Sequence, residues 1–292
     1  MRGLGERAIE AGLGLAALTS IAITLAILYV LASESVGFFL VVPVGDFLTD
    51  TMWTPLFADA HFGILPLLCG TLVSSGVGLA VAVPLGLTSA LYLSEFARPR
   101  TRELVKPFLE LLAGVPTVVY GYFALLFVTP LLQRWLFPDM PGFNLLAPGL
   151  VIGVMIIPYV SSLSEDALRA VPMELREAAF AMGATRLEVA ARVVLPAAFS
   201  GVAAAFALGL SRAVGETMVV AIAAGQQPNL TLDPREPAAT ITAYIVQVAL
   251  GDLPHGSIGY RSIFAAGLTL MVFTLAFNVA AWGLRRRFRE AY

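Results

Sequence analysis

Across 292 residues the chain carries 18 Lys and Arg against 20 Asp and Glu, and 58% of its residues are hydrophobic while 13% are charged. Soluble domains average about a quarter charged residues, so this composition, with a mean hydropathy of +0.84, excludes a soluble globular domain and indicates a polytopic membrane protein. The formal net charge of −2 says nothing about partners, because the basic residues are distributed unevenly along the chain.

A transmembrane helix needs about 20 predominantly apolar residues. Six segments meet that length: 11–32, 64–94, 108–133, 145–167, 196–224 and 262–284. The second, third and fifth exceed it and are expected to tilt, bend or project. Lys and Arg near span ends are retained in the cytoplasm, and 14 of the 18 fall on one side. These are Arg2 and Arg7, then Arg98, Arg100, Arg102 and Lys106, then Arg169, Arg176, Arg186 and Arg192, and finally Arg285, Arg286, Arg287 and Arg289. Arg134, Arg235 and Arg261 lie opposite, and Arg212 lies inside a span. Both termini are therefore expected in the cytoplasm. Residues 1–10 form a short cytoplasmic segment, and 11–292 a single membrane domain with outer segments 33–63 and 225–261.

The first span is preceded by Arg2 and Arg7, and Val30-Leu31-Ala32 resembles a signal cleavage site. Its apolar run of about 20 residues nevertheless exceeds a signal core of about 7–15, so it reads as a retained anchor. The second span holds Cys69, the only cysteine; no internal disulfide is possible, and the thiol reads as a small buried apolar group. Gly76-Val77-Gly78 there reads as close helix packing. Pro66, Pro84, Pro116, Pro130 and Pro158 fall within or near spans, where neighbouring helices can satisfy the freed carbonyls. At the start of the third span, Glu110 either answers the helix dipole or lines a path. Thr117 and Tyr120 offer hydroxyls to an oxyanion, although an aromatic inside a span is more often packing.

Between the fourth and fifth spans lies a polar stretch, Glu177 to Pro196, reading EAAFAMGATRLEVAARVVLP. Pro172 suits a first helical turn and Gly183 the left-handed position that ends one, which predicts a short helix over 172–182. Leu175, Ala178, Ala179 and Met182 fall on one face, with Glu174, Arg176 and Glu177 elsewhere on the surface. Thr185 followed by Glu188 is a capping box, so a second helix starts at once. The product is a rigid amphipathic elbow over 169–195, an element suited to docking a partner; the plainer alternative is an interfacial helix on the lipid surface.

In the fifth span, GLSRAVGETMVV places Arg212 roughly 24 Å along a helix counted from Pro196 at 1.5 Å per residue. An ionisable group at such depth almost always faces a cavity or a partner. Arg212 and Glu216 share a helix face and either compensate each other or leave Arg212 to meet something else, since Arg preceding Glu is the weaker helical order. A guanidinium offers a permanent charge and a planar fork suited to a tetrahedral oxyanion. In the outer segment 225–261, Asp233, Pro234 and Glu236 read as a helix start before AATITAYIVQVALG, 14 residues and too short to span.

Enzyme chemistry finds no support. A P-loop needs Gly-Lys-Ser/Thr, but the only lysine is Lys106, between Val105 and Pro107. His61 and His255 belong to no H-E-x-x-H pattern. No pattern points to nucleic acid, a metal or a catalytic group.

The elbow's Glu177, Ala178, Ala179, Gly183, Leu195 and Pro196 resemble the EAA loop of ATP-binding-cassette importer permeases. A second resemblance is to the phosphate permeases. It rests on Arg212, Ala213, Gly215, Glu216, Thr217 and Met218, and on Glu110, Pro116, Thr117, Val118, Val119, Tyr120 and Gly121. Trp53-Thr54-Pro55 and Phe62-Gly63-Ile64-Leu65-Pro66 are similar to the outer loop of the PstC type, which Met218 also favours over the PstA type. The resemblance covers roughly 53–284. It implies a type I-like, all-α membrane permease of six transmembrane helices in a bacterial inner membrane, surrounded by lipid. The implied partners are a PstA-type sister permease, a PstB-type ATPase dimer that uses the ATP, and a PstS-type phosphate-binding protein; this chain itself binds no cofactor. Arg212, Glu216, Thr217, Thr117 and Tyr120 are the implied substrate path, and the six elbow residues the implied ATPase contact. Sulfate or molybdate uptake is the alternative within the class. An ion-coupled secondary carrier would also use intramembrane Arg and Glu, but has no need of the elbow.

Overall fold

A computed structural model describes residues 4–55, 57 and 59–287. Arg2 and Arg289, counted in the charge asymmetry, lie outside the described residues, as do the extreme ends of segments 1–10 and 11–292. Among the described residues the regular structure is helical. Four helices are long and apolar enough to cross a membrane, and two sharply bent pairs raise the number to six if each pair is one span.

Helix α1 (Leu4–Phe39) runs past the expected end of the first span, so the outer segment 33–63 begins as helix. It then holds α2 (Val44–Thr49) and an antiparallel bridge between Trp53 and Phe62. Helix α3 (Leu65–Leu91) continues as a π-helical turn over Tyr92–Phe96. Helix α4 (Pro99–Gly114) is followed after Val115-Pro116 by α5 (Thr117–Phe123), a π-helical turn over Ala124–Val128 and α6 (Thr129–Trp135).

The third span, expected over 108–133 to tilt, bend or project, is sharply bent: α4 meets the segment Thr117–Trp135 at 86°. Pro116 lacks an N–H and drives the preceding residue to extended backbone, which Val115 adopts with ψ of 131°. Glu110 consequently sits in the last turns of α4 rather than at a helix start, where the helix dipole disfavours an acid.

Helix α7 (Leu146–Arg169) is the most buried span. The elbow follows as α8 (Met173–Ala181) and α9 (Arg186–Val189), a π-helical turn over Ala190–Val194 and α10 (Leu195–Ala197). The fifth span is also broken. Its first part, Arg186–Ala197, bends by 74° into α11 (Phe199–Val214), and α12 (Met218–Ala223) follows a second interruption. The depth of Arg212 is thus counted from Phe199, at roughly 20 Å.

Within 225–261, α13 (Ile241–Ala249) starts at a Thr240 cap. Near Asp233 the chain instead makes a turn, in which Asp233 Oδ1 accepts the Arg235 N–H and Arg235 Nε, both at 2.9 Å, while Oδ2 accepts Nη2; these hydrogen bonds hold the Asp233 pKa down at about 2. Helix α14 (Ile258–Arg287) closes the fold and packs along α1.

Helices α3 and α7 interlock through glycines. A Cβ on Gly149 would lie 2.7 Å from the Val77 Cβ, and one on Gly153 would lie 2.7 Å from the Val81 Cβ and 2.8 Å from the Gly78 carbonyl. Lipid tails give helices no hydrophobic reason to associate, so such close approach supplies the packing instead. Gly76, by contrast, has nothing within 4 Å of its Cβ direction and takes no part in this contact.

Around the start of α3 the core is aromatic: Trp53 and Tyr244 meet edge to face at 5.0 Å, and Phe38 meets Phe47 and Phe62 at 5.8 and 5.3 Å. Gly153→Ala is expected to destabilise the fold by about 1–3 kcal/mol through overpacking, because one obstructing atom is backbone. Gly76→Ala should be neutral. Thermal unfolding of the purified variants in one detergent compares them directly.

Candidate functional site

Two regions concentrate the chemistry. The first is the elbow. Pro172 stands just before α8 as its N-cap rather than inside the first turn, and Gly183 ends the element at φ +87°. The Gly183 N–H donates to the Phe180 carbonyl at 2.9 Å and the Ala184 N–H to the Ala179 carbonyl at 3.1 Å. Together these bonds form a Schellman motif. The Thr185 hydroxyl then accepts the Glu188 N–H while Glu188 accepts the Thr185 N–H at 2.9 Å, the expected capping box. Nothing lies within 4 Å of a Gly183 Cβ, so backbone conformation alone demands glycine there.

The face read from periodicity is split. Leu175 and Ala179 pack into a cluster with Ala90, Leu168, Val189 and Val202, whereas Ala178 and Met182 point outward, Met182 being 88% exposed. Arg176, expected on the surface, is 9% exposed. Its Nη2 donates to Glu95 at 3.1 Å and to the Leu168 carbonyl at 2.9 Å, and its Nη1 to the Val171 carbonyl. The donors satisfy carbonyls at the end of α7, and the charge meets a carboxylate 81 residues away, a pairing no local pattern signals. Glu177, Gly183 and Pro196 are exposed, and Leu195 is half-buried beside Ala179. Met173, Phe180 and Leu187 add to the outward apolar surface.

The second region is the interruption between α11 and α12. The helix ends at Val214, and Glu216 turns back so that its Oε2 accepts Arg212 Nη1 at 2.9 Å while its Oε1 accepts the Met218 N–H at 3.2 Å. The weak Arg-before-Glu order applies to a continuous helix. Here the helix has already ended, and the pair forms: Arg212 is bound to Glu216 rather than independent of it. The environments differ sharply, with the Glu216 side chain 2% exposed and that of Arg212 38% exposed. The Glu216 carbonyl freed by the break accepts the Thr242 hydroxyl at 2.7 Å, and the Thr217 hydroxyl donates to the Gly215 carbonyl at 3.3 Å.

Helix α5 packs against α12, with a Cβ on Gly121 only 3.1 Å from the Met218 carbonyl. The stretches around Thr117–Gly121 and Arg212–Met218, distant in sequence, therefore meet. Thr117 lies half-buried one turn before Gly121. The Tyr120 hydroxyl is engaged within the chain, donating to the Leu112 carbonyl at 2.7 Å, and so fastens the α4–α5 corner. Sequence reading passed over Glu165, which is fully buried in α7 and bound by Arg102 and Lys106. A carboxylate within the expected fourth span was the available signal. Among the described residues no group of three or more His, Cys, Asp or Glu could hold a metal.

Comparison with known proteins bears on both regions. Residues 82–290 match the family described as "Binding-protein-dependent transport system inner membrane component". The chain is 34% identical over 263 residues to the "Probable ABC transporter permease protein YqgH" of Bacillus subtilis, covering 89% of this chain and 84% of that one. It is 36% identical over 262 residues to "Phosphate transport system permease protein PstC 1" of Mycobacterium tuberculosis, covering 82% and 76%. A bacterial alginate ABC transporter, solved with an alginate pentasaccharide-bound periplasmic protein, is similar in fold at a TM-score of 0.66 and 20% identity, covering 98% of each chain. The chain belongs to the family of binding-protein-dependent transport system inner membrane components: it is a multi-pass ABC importer permease subunit, a transport component and not an enzyme.

Proposed function

We propose that this chain is the PstC-type permease subunit of an ATP-driven importer of inorganic phosphate, with both termini and the elbow in the cytoplasm. The observation that carries the reading is the Arg212–Glu216 arrangement. A guanidinium deep in a span is held at one nitrogen by a buried carboxylate while over a third of its side chain stays accessible. Fixed in that way, Arg212 can present donors to a tetrahedral oxyanion, and Glu216 lowers the cost of the charge when no anion is present. The M. tuberculosis relative named for phosphate transport supports this choice of anion over sulfate or molybdate.

Thr217 and Thr117 flank the path in this reading, and Tyr120 supports its wall through Leu112. A sister permease of PstA type supplies the other half of the path. A PstS-type binding protein delivers phosphate to the outer surface built from 33–63 and 225–261. The elbow docks on a PstB-type ATPase through Glu177, Ala178 and the turn at Gly183, while Ala179, Leu195 and Pro196 set its angle on the body. ATP-driven closure of the ATPase then rocks the helices around the path.

Gly183→Val should misdirect the second elbow helix, because a β-branched residue is penalised at positive φ. ATPase binding and transport should fall together while the protein remains in the membrane; normal co-purification of the ATPase would remove the docking role.

Arg212→Lys keeps the charge and loses the fork, and phosphate uptake into vesicles bearing the full complex should fall about 10- to 100-fold, the loss of one strong charged hydrogen bond. The neutral pair Arg212→Met with Glu216→Gln can retain the bond to the Met218 N–H and should be inactive. Substantial uptake by that double variant would make Arg212 a structural residue.

A further inference from the structure

Helix α4 is attached to the rest of the protein in an unusual way. It has 16 residues and none of them is buried, so no apolar core fixes it. In its first half, Arg102 Nε donates to Glu165 Oε1 on α7, and Lys106 Nζ lies 3.7 Å from Glu165 Oε2, which has no hydrogen-bond partner, and 3.6 Å from Asp166. Glu165 itself is wholly buried, and a carboxylate removed from water is tolerated only with such compensation. At its other end, the Leu112 carbonyl receives the Tyr120 hydroxyl, which joins α4 to α5 across the 86° corner. A helix held by ions at one end and rigidly cornered at the other has the form of a lever.

The elbow acts on the same part of α7. The Arg176 guanidinium donates to the Leu168 carbonyl, three residues after Glu165, and pairs with Glu95 in the π-helical turn that continues α3. Beyond the corner, α5 meets α12 at Gly121 and Met218, and the Met218 N–H is bound by Glu216, the partner of Arg212. We propose that Glu165 is a positioning residue that clamps α4 to α7. Displacement of the elbow, entering through Arg176, then passes along α4 to α5 and α12 and shifts the Arg212–Glu216 pair. A change in coupling with assembly intact is the measure of this path. The inference rests on the elbow being the ATPase-docking element.

The test uses the full complex in vesicles, comparing ATP hydrolysed, with and without the binding protein, against uptake of labelled inorganic phosphate. Glu165→Gln should leave the ATPase bound and hydrolysing, while uptake per ATP falls about tenfold, within the usual range of coupling between sites. Arg102→Lys, which keeps the ion pair, should preserve the ratio. Lys106→Gln alters a side chain 28% exposed and should give an intermediate loss, which decides the matter if Glu165→Gln does not assemble.

An unchanged ratio in Lys106→Gln together with an unchanged or unassembled Glu165→Gln would overturn the proposal, as would an assembled Glu165→Gln complex without its ATPase. If the wild-type complex takes up no phosphate, the cargo reading fails, and stimulation of hydrolysis by the binding protein becomes the measure of coupling. Retention of the ATPase by Gly183→Val would instead defeat the docking reading without altering these ratios.

Discussion

In hydrocarbon no water is available to complete an interrupted helix, so every break in a span must be repaired by another part of the protein. The interruption at Gly215–Thr217 shows how far that requirement reaches. The Glu216 carboxylate answers the Met218 N–H, and its own carbonyl is answered by Thr242. Thr242 can do so only because α13 is brought down onto the break, and the Ile241 N–H is tied to the Thr71 hydroxyl of α3 at 3.0 Å. Helices α13 and α3 and the ion pair are thus parts of one hydrogen-bonded repair, which gives Arg212 a defined place.

Different forces hold the molecule at different depths. In the middle, the glycines of α3 and α7 allow backbone-to-side-chain contact, the form of attraction that a lipid solvent leaves available. Around the start of α3, aromatic rings packed edge to face hold the segment around Trp53 against α13. On the elbow side, buried ion pairs take over: Arg176 with Glu95, and Arg102 and Lys106 with Glu165. Such pairs add little net stability compared with apolar packing, but breaking one partner is costly, so they favour one arrangement strongly over its neighbours.

Much of this was legible in the chain because its signals are local. Hydropathy placed the second, fourth and sixth spans close to the helices Leu65–Phe96, Leu146–Arg169 and Ile258–Gly283, and the positive-φ glycine and capping box of the elbow were readable from Gly183, Thr185 and Glu188. Errors arose where tertiary structure overrode a local pattern. A window of apolar residues allows a bend in the third span but cannot set its right angle at Pro116, since both arms are compatible with a helix. The helical face of α8 was misjudged because Arg176 reaches Glu95 and the end of α7, and a moment counts such a residue as polar surface. The Arg212–Glu216 pair was placed on one face by spacing, but the helix end at Val214, beyond which Glu216 also accepts the Met218 N–H, left no such signal. The anchoring of Tyr120 to Leu112 has no periodic signature at all.

The two caps on either side of Gly183 have a thermodynamic consequence. The Schellman bonds and the Thr185–Glu188 box lie wholly within 179–188, so the bend is ordered by its own residues before anything touches it. Its conformational entropy is lost at folding rather than at encounter. A protein that takes up the exposed Met182 and Leu187 therefore meets a preorganised shape, and little ordering cost is subtracted from the contact. Such an element can be released and re-engaged repeatedly without refolding.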